Sequence, residues 1–242
     1  MLRTLHSEWG KTWSVRAPWI CLAATVVLVL ATASSLANDF LHGASIGEVP
    51  EGATMPLMDA VGPALLLGQV GFAAFAMLLV TSEYSTGEIR STLRARPDRG
   101  TVVAAKGAIA AASGAAVGAV SGAGAALVAR LVLGDALAEP PAPYLEVALR
   151  SAALLAVAGV LVVAVGTLLR SAAATLSAAF VLLLGTLVLP AGASRWFPGE
   201  AASTLLSGDG DPYTAPVGLL VVAAWAAVLL GLALWTIQRR DA

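Results

Sequence analysis

The sequence predicts an all-α, polytopic membrane protein, and three observations predict it. Of 242 residues, 58% are hydrophobic and only 12% charged, about half the roughly one quarter that keeps a soluble domain's surface wet. The apolar residues come in long unbroken runs. The basic residues gather in the segments between alternate runs. A hydrocarbon core about 30 Å thick takes about 20 apolar residues in a helix, and only a helix satisfies every backbone group within such a stretch. The expected architecture is one transmembrane domain over residues 1–242. It has six transmembrane helices, an N-terminal interfacial amphipathic helix, and a cytoplasmic helix between spans two and three.

Residues 1–17 form the interfacial helix. Leu2, Leu5, Trp9 and Trp13 share one arc at 100° per residue, with Arg3, Ser7, Lys11 and Ser14 opposite, the pattern of a helix lying at headgroup level. The spans are expected at about 18–37, 61–81, 105–129, 150–169, 172–190 and 216–237. Pro18, Pro63 and Pro216 stand at span starts, where a missing N–H costs little, and Pro190 marks the end of span five. Ala31, Ala33, Ser35 and Ala37 after a basic start also fit a leader's cleavage site, so cleavage of the first span stays open. In span three, Gly114, Gly118 and Gly122 recur every four residues beside a second small ridge at Gly107, Ala111, Ala115 and Ala119. Such faces let helices approach closely, inside the chain or at a dimer seam. Gln69 is the main large polar side chain at membrane depth, suited to an interhelical hydrogen bond or to lining a pathway.

Eleven of the fourteen basic residues fall in the N-terminal tail, the segment after span two, Arg170 and the C-terminus, and most acids fall in the other segments. Positive-inside bias then puts both termini in the cytoplasm of a multi-pass plasma-membrane protein. No charged side chain lies in the middle of a span, which argues against an ion-coupled carrier. His6 and His42 sit on opposite sides of the bilayer and cannot meet at one catalytic centre. The lone Cys21 excludes an intrachain disulfide framework and a cysteine metal cluster. Gly10-Lys11-Thr12 lacks the upstream glycine and strand of a phosphate-binding loop, and "GDGDPYT" at 208–214 has too few ligands for a calcium loop. The chain is expected to be no enzyme, with neither metal nor cofactor of its own.

The loop 82–104 carries the most information. Ser85 and Glu88 stand at capping-box spacing and Pro97 discourages helix at Arg96, so a short helix is expected over 86–95. Ile89, Thr92 and Leu93 form its apolar face and Arg90, Arg94 and Arg96 its basic one. The physics alone fits either a mooring for anionic headgroups or a docking helix for a cytoplasmic protein. The pattern "E-Y-x-x-G-x-I-R-x-T-L" beginning at Glu83, then "R-P-x-R-x-x-x-x-x-A-K", six spans, Trp196-Phe197-Pro198 before the last span and a terminal Arg239-Arg240-Asp241 together resemble permeases of type-2 ABC exporters, over essentially the whole chain.

That resemblance implies a dimeric pathway, homodimer or heterodimer with a sister permease, over ATP-binding subunits that hold ATP and Mg on a separate chain. Glu83, Tyr84, Gly87, Glu88, Ile89 and Arg90 would couple to the ATPase. The outer segment 191–215 would gate the exit, with Trp196 as its interface anchor. Nucleic acid is not an expected partner. The second reading is a non-ABC membrane module, a secondary transporter or an assembly or immunity factor. The substrate, and whether export runs across or out of the bilayer, are left open.

Overall fold

The computed structural model describes residues 2–86, 99–138, 144–208 and 212–239. They form α1 (Leu2–Ser14), α2 (Arg16–Ser45), α3 (Leu57–Thr86), α4 (Arg99–Leu133), α5 (Tyr144–Leu169), α6 (Ala172–Leu183), α7 (Pro198–Ser207) and α8 (Ala215–Arg239), with short 3-10 turns at Gly134–Ala136 and Gly185–Val188 and one α-turn at Ala191–Ser194. Five helices, α2 to α5 and α8, are long and apolar enough to cross a membrane. The chain thus has the character of a multi-pass, all-α membrane protein.

The expected fifth span is not one helix. α6 stops after 12 residues, the backbone tightens into the 3-10 turn at Gly185–Val188, and α7 resumes for 10 residues from Pro198. The cause lies in the sequence: Gly185 is a weak helix former, and Pro190 has no N–H while its ring would clash with the carbonyl at Thr186, four residues back. α6 and α7 occupy successive depths. Thr175 of α6 packs against Gly166 and Val80 at the end of the bundle where α1 lies, while Leu183 and Thr186 meet Gly199 at the start of α7. Gly208, just past α7, meets Arg150 near the start of α5, at the far end. At about 1.5 Å per residue the two pieces amount to about 33 Å of helix, close to one hydrocarbon thickness.

Other boundaries differ from expectation by simple extension. α3 starts at Leu57 and runs to Thr86, so Pro63 lies within it and Ser85 falls on its last turn. Asp59 in the first turn favours the earlier start. The expected helix over 86–95, with Gly87, Glu88, Ile89 and Arg90, falls outside the described residues apart from Thr86.

α4 and α5 pack antiparallel in close register. A Cβ placed on Gly114 would meet the Leu155 carbonyl, on Gly118 the Ser151 carbonyl, on Gly122 the Ser151 side chain and Val147 carbonyl, and on Gly159 of α5 the Ala110 carbonyl. Each step of four residues along α4 is matched by four back along α5. Small residues thus supply the contact that the hydrophobic effect does not drive in lipid, and this glycine face lies against the chain's own helix. α2 approaches α3 likewise, Thr25 against Gly71 and Val29 against Gly68. At the far end, Met55 exchanges backbone hydrogen bonds with the segment after α4: its N–H donates to Ala136 O at 2.8 Å, and Ala138 N–H donates to Met55 O at 3.0 Å.

Candidate functional site

α1 packs on the bundle with a polar stripe inward. Thr4, Glu8 and Thr12, spaced by four residues, are buried, while Trp9 is 46% exposed. The apolar arc seen in the sequence is therefore divided. Leu5 and Trp13 touch the core, with Trp13 stacked on Phe75 at 6.1 Å and tilted on Trp19 at 4.7 Å.

The polar stripe exists because of what it meets. Lys106, two turns into α4, donates to the Leu79 carbonyl of α3 at 2.6 Å. Its Nζ lies 2.9 Å from Glu8 and 3.2 Å from Glu83. Lys11 closes the group at 2.7 Å from Glu8 and 3.2 Å from Glu83. Two carboxylates and two ammoniums thus form a neutral cluster joining α1, α3 and α4, with Glu8, Glu83 and Lys106 all buried. Both lysines of the chain are used here, although arginine dominates elsewhere. A compact point charge on a flexible stem fits a crowded four-charge site better than a planar fork.

Burial by itself would raise the Glu8 carboxyl, but the charge of Lys106 and the hydrogen bonds from Lys11 and Lys106 outweigh it and hold Glu8 below its ordinary value. Burial would likewise lower Lys11, yet the hydrogen bond to Glu8 and the charge of Glu83 keep it above its ordinary value. Glu8 and Lys11 therefore stay ionised at neutral pH. Next to Glu83, the Tyr84 ring receives the Arg170 guanidinium at 5.5 Å from its centroid. Arg170, between α5 and α6, has φ of 56°, a left-handed conformation that costs a non-glycine residue about 1 kcal/mol or more. The ends of α1, α3, α4 and α5 are thereby tied at the two mouths of the segment 87–98.

Of the residues singled out from sequence, Glu83 and Tyr84 come together here, with side chains turned to the chain's own partners. Gly114, Gly118 and Gly122 line the α4–α5 contact. Gln69 is wholly buried, and neither of its amide atoms has a hydrogen-bond partner among the described residues. Trp196 is 57% exposed. Its carbonyl accepts from Trp225 Nε1 at 2.8 Å, its ring stacks on Tyr213 at 5.8 Å, and Tyr213 donates to the Arg195 carbonyl at 2.8 Å. Among the described residues no three His, Cys, Asp or Glu side chains group to hold a metal ion.

Glu8 is the member of this cluster that sequence reasoning missed. Its signal was present: it is the single acid in the first seventeen residues, three before one of only two lysines. Fold and site together define a multi-pass helical membrane protein with a charged clasp at one end. No family model matches the chain, and no curated protein matches it.

Proposed function

We propose that this chain is the membrane-spanning permease subunit of an ATP-driven ABC exporter, acting as a dimer beneath which a separate ATP-binding subunit docks. One observation carries the reading most: the helices entering and leaving the basic segment 87–98 are clasped to each other and to α1 by the Glu8–Lys11–Glu83–Lys106 cluster. Force applied to that segment by a partner passes to three helices as one body. A loop that served only to moor lipid headgroups has no need of such a joint. The order of motifs in the sequence supports the same reading, with Gly87, Glu88, Ile89 and Arg90 as the surface gripped by the ATPase, and Glu83 and Tyr84 as the link behind it.

In this reading the α1 end faces the cytoplasm, as the distribution of arginines favours. α6 and α7 together make the fifth crossing and α8 the sixth, which returns the C-terminus to the side of the N-terminus. Trp196 and the excursion between α6 and α7 belong to the outer half. ATP and Mg bind the partner, and this chain supplies half of the pathway.

The test is copurification in mild detergent. Replacing Ile89 and Arg90 with Asp is expected to abolish recovery of the ATP-binding subunit while insertion of the chain stays intact. Undiminished recovery removes the coupling assignment, and full transport by the chain alone without nucleotide removes the exporter reading.

A further inference from the structure

The far-end half of the bundle holds a cavity of about 540 Å³ between α3 and α7, within the range of about 300–1,000 Å³ usual for small-molecule sites. Asp59, Gly62 and Leu66 line it from α3, and Ser203, Leu206 and Ser207 from α7. Its chemistry is uneven in an informative way. One carboxylate and two hydroxyls accompany apolar walls, and no basic side chain is in the lining. Among the described residues no cation pairs with Asp59; Arg150, the nearby cation of this end, is engaged by Glu146 and the Leu206 carbonyl.

Two further features of α3 bear on the site. Pro63, four residues after Asp59, has no N–H to give the Asp59 carbonyl, so that oxygen lacks its intrahelical donor. Gln69 continues the stripe of Gly62 and Leu66 at the four-then-three spacing of one helix face, one turn deeper, and its buried amide has no partner among the described residues. At Gly62 itself an added Cβ would meet nothing within 4 Å, so the helix face opens on empty volume there. A broken crossing beside a polar helix face is a general device for building a binding site at membrane depth.

We infer that this cavity binds a lipophilic monocation, its charge held by Asp59 and its apolar body between Leu66 and Leu206, and that such cations are the substrate class. The class assignment rests on the exporter reading; the binding site does not. The bland alternative for Asp59, an acid favouring the first turn of α3, accounts for the residue but not for a cavity free of basic groups or for the unpartnered amide below it.

The experiment is equilibrium binding of tetraphenylphosphonium and of tetraphenylborate, a near-isosteric pair of opposite charge, to the full chain purified in a neutral detergent. The cation is expected to bind saturably, at least about tenfold tighter than the anion after subtraction of micelle partitioning. Asp59→Asn is expected to weaken the cation about fivefold and to leave the anion unchanged, the size of a partly exposed charge contact. Gly62→Phe, which grows into the empty volume, is expected to abolish saturable binding while the chain keeps its elution profile in size-exclusion chromatography. Equal binding of both probes, no saturable binding, or an Asp59→Asn protein that binds like the parent overturns the inference. Because neither probe measurement uses the ATPase, these failures leave copurification untouched, and loss of copurification leaves the binding result standing.

Discussion

Removing the Lys106 ammonium should release α1 from the bundle. Lys106 is the hub: it touches Glu8, Glu83 and the Leu79 carbonyl, and its side chain is 8% exposed. Lys106→Met keeps most of the stem and deletes the charge, leaving two buried carboxylates facing only Lys11, whose side chain is 49% exposed. Removing one partner of a buried pair costs about 3–5 kcal/mol. The protein can escape by protonating one carboxylate, which at pH 7 costs about 3.7 kcal/mol from an ordinary glutamate value of about 4.3. It can also escape by swinging α1 outward so that Glu8 reaches water.

Either route puts the penalty at about 3–4 kcal/mol, and the second is directly observable. Thr12 is buried beside Glu8, and its hydroxyl donates to the Glu8 carbonyl at 2.9 Å. A Thr12→Cys probe in a Cys21→Ser background is therefore shielded from maleimide while α1 is docked. Lys106→Met should raise its labelling rate about 100-fold or more. Adding Glu8→Gln removes the excess negative charge and leaves the Lys11–Glu83 pair, so labelling should return to within about fivefold of the parent. Labelling of the single variant at the parental rate, or of the double variant as fast as the single, refutes the clasp.

The remaining predictions need less development. Docking of α1 should be flat across neutral pH. Glu8 is held below its ordinary value, so its contribution is present above the unfolded carboxylate range and lost as pH falls through the depressed native value. Lys11 is held above its ordinary value, so its contribution is present below the unfolded lysine range and lost as pH rises through the elevated one. Thr12→Cys labelling, normalised to a Gly10→Cys control, should stay constant between about pH 5 and pH 9, and a transition inside that window counts against the assignment. Gly118→Ala should destabilise the detergent-solubilised chain by about 1–3 kcal/mol, because the new Cβ meets the backbone of Ser151 and Ala152, which cannot yield. Gly231→Ala, where a Cβ meets nothing within 4 Å, should instead stabilise α8 by up to about 1 kcal/mol; melting curves that shift the same way for both would count against the packing argument.

Much of this protein was legible along the chain because the bilayer imposes a simple rule. Long apolar runs must be helices, and α2, α3, α4, α5 and α8 appear where the hydropathy puts them. The spacing of Gly114, Gly118 and Gly122 announced a close helix contact, since small side chains every four residues make one flat ridge. Local grammar failed where it had to weigh competing signals. The apolar run from Ala172 to Pro190 argued for one helix, yet Gly185 and Pro190 broke it. The next helix, α7, came from within 191–215, the segment expected to form the outer gate.

The long-range half of the charge pairing was beyond local reading. Glu8 and Lys106 stand far apart along the chain, and nothing in either neighbourhood names the other. Their match became visible only when α1 lay across the ends of α3 and α4, because a buried charge is tolerated only where the fold brings its counterion. The sequence by itself determined which segments are helices, which of them suit lipid and where glycine lets them touch. The tertiary structure decided which polar groups meet, which stay unpartnered and where space remains between helices, since these depend on distances that no linear spacing encodes.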